Sequence, residues 1–376
     1  MNKTNIRVAV GILIVLVVLF GSNTTLFKKS NTDSTNEIKL GSILILSGEG
    51  ASWGEASKNG IDLAVKEINQ QGGIDGKKLT VAHEDNMSDP SRAISAFRKL
   101  TTSDEVKYII GPNWSNSGIP LVKLADQTKT VVISPTLGLK EFNEGSPYLF
   151  NTWPHDDLLS RNLADYVYNK GYRNVAVFGA QDVWNKQQTQ AFSERFLSLG
   201  GKIALTYEPT VDTKDVRAEV LKVKNNKNID ALIMTNSSFS LIDITAIQLR
   251  DLKVNLPMFS ITVDQKLISE CKGACDGMTF LTFLTPTSDF EEKYKAAYNG
   301  REVEIGADSA YDAVMMLAEA MKATHSTDTE KVSAYLSSLK TYGGSSGNLI
   351  SDGKRGFTKP YVIKKVVDGK QVEVKE

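Results

Sequence analysis

The side chains best placed to act on a ligand in this 376-residue chain are its four tryptophans. Trp53, Trp114, Trp153 and Trp184 each stand in a short loop just beyond an apolar, β-branched run: Ile38 to Leu46, Val106 to Ile110, Tyr148 to Thr152 and Asn174 to Phe178. Open α/β sheets bind ligands outside the carboxyl ends of their strands. Large aromatics at those ends suggest the walls of a binding cleft, although a tryptophan is equally at home in a core or its rim. A second candidate is the loop Pro112 to Gly118, where Ser115 lies directly ahead of a helical stretch, Ile119 to Gln127. A hydroxyl and free backbone N–H groups at a helix start suit an anion, because the macrodipole favours negative charge there. Helix capping by Ser115 or Ser117 is the plainer alternative.

Other reactive side chains are sparse. Cys271 and Cys275 enclose three residues, and outside the cytoplasm a local disulfide is the default. A metal site is the weaker alternative, since His83, His155 and His325 are scattered singly and no second cysteine pair exists. No Gly-x-Gly-x-x-Gly follows the first strand, and neither a Walker loop, a serine elbow nor a paired His/Cys constellation is present. The expectation is a binding protein without catalysis, cofactor or metal. Lys plus Arg and Asp plus Glu both total 44, so no broad basic face speaks for nucleic acid.

The elements that must position these residues alternate along the chain. From Ile38 onward, apolar runs of strand length exchange with stretches of helical period, such as Ile61, Ala64, Val65 and Ile68, which Gly72-Gly73 then stops. Asp89-Pro90 reads as the cap and first turn of the next helix. Helices are further expected over Leu158 to Lys170, Gln187 to Leu199, Leu241 to Leu252 and Asp308 to Lys322, and two strands in the tail, Tyr361 to Val367 and Gln371 to Val374. Repeated βα alternation implies a doubly wound α/β fold of parallel sheets buried on both faces. The length allows two domains, and with no low-complexity linker in the middle, several strands must cross between them. Ahead of this, Lys3 and Arg7 precede an apolar stretch, Val8 to Phe20, and a polar segment, Lys28 to Glu37. Residues 1–37 are read as a cleaved export signal or an uncleaved anchor with a polar linker. Serine at position 22 stands where a lipidated cysteine would be, so lipid anchoring there is excluded.

Several motifs carry a resemblance: Leu46-Ser47-Gly48, Gly72-Gly73-Ile74-Asp75-Gly76-Lys77-Lys78-Leu79, Asp85 with Asp89-Pro90, Tyr108-Ile109-Ile110-Gly111, Ser134-Pro135, Ala310-Tyr311-Asp312-Ala313, and the tail Gly347 to Arg355. In order and spacing the chain resembles the type I periplasmic solute-binding proteins, close to the Leu/Ile/Val-binding branch of ABC importers. The resemblance implies two lobes joined by three hinge crossovers, with residues 38–151 and 284–341 in lobe 1 and 152–283 and 342–376 in lobe 2. It implies capture of an amino acid, branched-chain or aromatic, or a related carboxylate between the lobes, and delivery to ABC permease subunits in the membrane. A membrane-tethered sensor of the same fold is the alternative.

Residue by residue, the resemblance gives Ser115 the ligand carboxylate and the Thr136 backbone the ammonium, while Gly138 replaces the family's second hydroxyl. Trp53 and Trp184 match aromatics on opposite lobes, Trp114 flanks the anion site, and Trp153, followed by Pro154, falls at a crossover and is read as a hinge stiffener. The lobe-two tyrosine becomes Ser237, with Phe239 nearby, and the acidic partner of the ammonium falls at Thr262. A buried, unpaired ammonium costs several kcal/mol. Either Asp264 or Asp182 replaces that acid, or the ligand is not an α-amino acid.

Overall fold

Apolar runs separated by helical periods fold here into two main sheets. The computed structural model describes residues 36–235 and 241–375. The first half alternates β1 (Glu37–Leu44), α1 (Ala51–Gln70), β2 (Lys78–Asp85), α2 (Pro90–Arg98), β3 (Tyr108–Ile110) and α3 (Ser115–Gly118), which continues through a 3-10 turn into α4 (Val122–Thr128). It closes with β4 (Val131–Ser134), α5 (Lys140–Asn143) and β5 (Leu149–Asn151). The strands order as β2-β1-β3-β4-β5, with β1, β3, β4 and β5 pairing in parallel. Next come α6 (Asp156–Asn169), β6 (Asn174–Phe178), α7 (Val183–Ser198), β7 (Lys202–Tyr207), α8 (Arg217–Asn225), β8 (Ala231–Met234), α9 (Ile242–Asp251), β9 (Met258–Ile261), α10 (Gln265–Glu270) and β10 (Thr279–Thr282).

After β10 the chain returns to the first half with α11 (Ser288–Ala297), α12 (Ala307–Thr324) and α13 (Thr329–Ser338), whose Phe290, Val314, Leu317 and Leu336 join the core under β1 and β3. A small sheet follows: β11 (Thr341–Gly344), β12 (Gly347–Ser351) and β13 (Phe357–Thr358). The last strands, β14 (Val362–Val367) and β15 (Lys370–Glu373), pair antiparallel at the edge of the second sheet, giving the order β15-β14-β10-β9-β8-β6-β7. The doubly wound α/β reading holds, and the chain passes between the halves three times.

Both sheets are buried on both faces, as parallel sheets require. Leu40, Leu44 and Ile110 pack on one face of the first sheet, Ile43, Ile109 and Val132 on the other. Likewise Val175 and Val177 of β6 face one core and Ala176 and Phe178 its opposite. Thr152, at the first passage, donates to the Ser309 carbonyl at 2.9 Å. Lys359, at the third, is buried and donates to the Ser346 carbonyl at 2.7 Å, with the Asp308 carboxylate 3.9 Å away.

The tail differs from the sequence reading. Gly343 to Gly347 is a hairpin between β11 and β12, and Leu349 and Phe357 pack in the first core, not the second. The hairpin turn is held by Asp312, which accepts from the Ser345 and Ser346 N–H groups at 2.7 and 2.8 Å and from Ser346 Oγ at 2.6 Å. That contact is the task of the acid in Ala310-Tyr311-Asp312-Ala313. Cys271 and Cys275, just beyond α10, form the expected disulfide. The expected export signal or anchor lies outside the described residues apart from its last two, and no described helix is long and apolar enough to cross a membrane.

Candidate functional site

The loops that leave β1, β2, β3, β4, β5, β6, β7 and β9 at their carboxyl ends converge on one cleft of about 580 Å³. All four tryptophans line it. Trp53 sits on the first turn of α1, whose start is set by Gly50 with φ 83°. A side chain at 50 is barred twice, since a Cβ there would lie 2.5 Å from the Trp114 ring. Trp53 and Trp114 meet edge to face with centroids 6.2 Å apart.

Three indole N–H groups end on carboxylates. Trp153 Nε1 donates to Asp156 Oδ1 and Trp184 Nε1 to Asp156 Oδ2, each at 2.8 Å. Trp53 Nε1 donates to Asp264 Oδ2 at 2.8 Å. Asp156 lines the cleft at the first position of α6 and is 3% exposed. Burial pushes its carboxyl up to about 7, with the two indoles pulling in the opposite direction. Asp156 was missed by sequence reading; its only signal was an acid in the first turn of a helix.

A polar end of the cleft is built around Asn113. Its Nδ2 donates to Ser57 Oγ at 2.9 Å and to Thr136 Oγ1 at 3.2 Å, and its Oδ1 accepts from the Ile45 N–H at 3.1 Å. Thr136 in turn donates to the Asn113 carbonyl at 2.9 Å. Ser115 opens α3 half-buried beside this network. The residue at the cap position is Trp114, with no side-chain cap bond, so neither Ser115 nor Ser117 caps that turn.

Gly138 also lines the cleft, and a Cβ on it would lie 2.0 Å from Asp156 Oδ2. Thr262 lines it from β9's end at φ 51°, with a buried hydroxyl that finds no hydrogen-bond partner. A β-branched residue in that conformation is a true outlier.

The two acids proposed to replace the missing ammonium partner have other tasks. Asp264 is not among the lining residues: it caps α10 through the Leu267 N–H at 2.7 Å and also accepts from Ser52 Oγ at 3.1 Å. Asp182 does line the cleft, but caps α7 through the Asn185 N–H at 2.9 Å and binds the Asn185 side chain. Trp153, read as a hinge stiffener, is cleft wall as well as crossover residue. Ser237 lies outside the described residues. Ser42, His83 and Asp62 do form a hydrogen-bonded series, at 2.7 and 2.9 Å. Ser42 is wholly buried in β1, so its hydroxyl meets no solute.

Residues 37–371 match the model of the periplasmic binding protein family. The Leu/Ile/Val-binding protein homolog 1 of Brucella suis is 26% identical over 373 residues, 96% of each chain. Other Leu/Ile/Val-binding relatives align with the chain over only about half of their own length, 52%. Among solved structures, the branched-chain amino acid transporter substrate-binding protein from Streptococcus pneumoniae in complex with isoleucine has a TM-score of 0.82 at 24% identity, covering 90% of this chain and 100% of that one. A solute-binding protein of an ABC transporter from Rhodopseudomonas palustris, in complex with 3,4-dihydroxybenzoic acid, has a TM-score of 0.80 at 22% identity, with 90% and 96% covered. At these identities the likeness speaks for the fold.

Proposed function

The chain belongs to the periplasmic binding protein family, and from that premise we propose that it is the solute-binding component of an ABC importer, holding a small ligand between two lobes and presenting the closed form to a membrane permease. The observation that carries this reading is the cleft itself. Its walls come from loops of both sheets, Trp53 and Trp114 from the first and Trp153 and Trp184 from beyond the first passage. A ligand touching both halves binds the closed arrangement better than the open one, and so selects it. The lobes would comprise residues 38–151 with 284–358, and 152–283 with 359–376. The protein works outside the cytoplasm, in the periplasm or tethered to the outer face of the membrane.

The ligand is an amino acid, branched-chain or aromatic, or a related carboxylate. Ser115 and the α3 turn receive its carboxylate, Thr136 and Thr262 offer oxygens to its other polar group, and the indoles cover its apolar part. Isoleucine in the Streptococcus pneumoniae neighbour and dihydroxybenzoate in the Rhodopseudomonas palustris neighbour fall within that range.

A thermal-shift screen of amino acids, aromatic acids, short amides and ammonium compounds tests the reading, because a ligand stabilises by mass action. At least one class should raise the melting temperature, and Ser115→Ala should weaken a carboxylate ligand by about 10- to 100-fold, the worth of a hydrogen bond to a charged group. A stabilising carboxylate that is indifferent to Ser115→Ala contradicts the assignment.

A further inference from the structure

The cleft carries a charge pattern that the capture of a carboxylate does not explain. Among the described residues it is lined by Glu49, Asp156 and Asp182, and by no lysine, arginine or histidine. Asp156 is the buried member, and both of its oxygens face neutral indole N–H donors, not a cation. A carboxylate removed from water without a counter-charge is costly, and the cleft is where a counter-charge can enter. The indoles point the same way. Those of Trp53, Trp153 and Trp184 have already given their N–H groups to carboxylates, and the buried Trp153 ring also has the Lys359 ammonium 5.8 Å from its centroid, so what the indoles still offer a ligand is carbon and π-electron surface. Donation to a carboxylate also makes each ring more electron-rich, which strengthens its attraction for a cation. A primary ammonium would need three acceptors here; a quaternary one needs none and gains from the rings.

We infer that the cleft selects a quaternary methylammonium ion, held among the indoles of Trp53, Trp153 and Trp184 with Asp156 as its counter-charge. The inference rests on the solute-binding reading above and replaces its carboxylate ligand class with one recognised by positive charge. A carboxylate elsewhere on the same molecule would still have Ser115 to bind, so the positive nitrogen and not the acid is the recognised feature.

The test is calorimetric titration of the whole protein with choline and with 3,3-dimethyl-1-butanol, its neutral isostere, alongside glycine betaine, L-leucine and 4-hydroxybenzoate. Choline should bind, at least about tenfold tighter than the isostere, and glycine betaine should bind as well. Asp156→Asn should remove most of that discrimination while changing affinity for the isostere less than about threefold. The comparison of charged with neutral probe needs no variant, so it stands even if Asp156→Asn folds poorly. Equal binding of choline and its isostere, or binding of L-leucine or 4-hydroxybenzoate with neither methylated ammonium, overturns the inference and leaves solute capture intact. Failure of every probe overturns the inference and counts against solute capture as well.

Discussion

Gly138 and Asp156 share one small volume at the floor of the cleft. The Asp156 N–H donates to the Gly138 carbonyl at 2.9 Å, and a Cβ at 138 would come within 2.0 Å of Asp156 Oδ2. The space a side chain at 138 would need is therefore filled by a carboxylate reaching in from α6.

That pairing predicts a coupled pair of substitutions. Gly138→Ala should destabilise by about 1–3 kcal/mol through overpacking, and should cost clearly less when Asp156 is already alanine. A double-mutant cycle by urea unfolding measures the coupling. Additive effects would mean that the two residues do not compete for space.

Asp156 also predicts a pH dependence. Its carboxyl is raised from near 4 to about 7 in the folded chain, so in that window the folded state holds more protons than the unfolded one. The stability it contributes is fully present below about pH 4 and is lost as the pH rises through 7, with a slope of at most about 1.4 kcal/mol per pH unit. Glu304 and Asp312, raised by burial to about 7 and about 6, act in the same direction. The useful quantity is thus the difference between wild type and Asp156→Asn. Melting temperatures of the ligand-free proteins from pH 5 to 8 should fall more steeply for wild type; parallel curves would remove Asp156 from the account.

Asp264 combines a helix cap with a contact to Trp53. Asp264→Ser keeps a capping oxygen and loses the reach to the indole, whereas Asp264→Ala loses both. Alanine should therefore cost about 1 kcal/mol more than serine, and both should show the penalty of an orphaned Trp53 N–H, about 1–3 kcal/mol. Chemical unfolding of the two variants decides; equal losses would leave the cap without energetic weight.

Thr262 stores strain at the wall of the cleft. At φ 51°, a threonine costs on the order of 1–3 kcal/mol that glycine would not. Thr262→Gly should raise the melting temperature of the ligand-free protein and weaken ligand binding, since its unpartnered hydroxyl is lost. A variant that melts lower and binds unchanged would make Thr262 an ordinary loop residue.

How much of this could be read from the residues alone follows from the range of each interaction. Most strands of the two sheets were legible because their β-branched runs are local signals, and Asp89-Pro90 marked α2 as expected, with Asp89 accepting from the Arg92 N–H at 2.8 Å. The start of α7 was placed at Gln187, four residues late, because Asp182 caps a first turn whose Val183 is exposed and breaks the apolar period. Strands β11 and β12 were hidden in a Gly- and Ser-rich stretch whose turn is held by Asp312, more than thirty residues away. Positions of the tryptophans at strand ends were legible, but their partners were not. Trp184 meets Asp156 across 28 residues and Trp53 meets Asp264 across 211, distances at which composition and periodicity carry no information.

We propose that a solute is bound between these tryptophans. Because all four tryptophans of the chain line the one cleft, intrinsic tryptophan fluorescence reports on it alone. Titrating a solute that raises the melting temperature should change the emission and saturate at the dissociation constant found by calorimetry. A solute that stabilises the protein while leaving the emission unchanged would bind elsewhere, and would contradict the account.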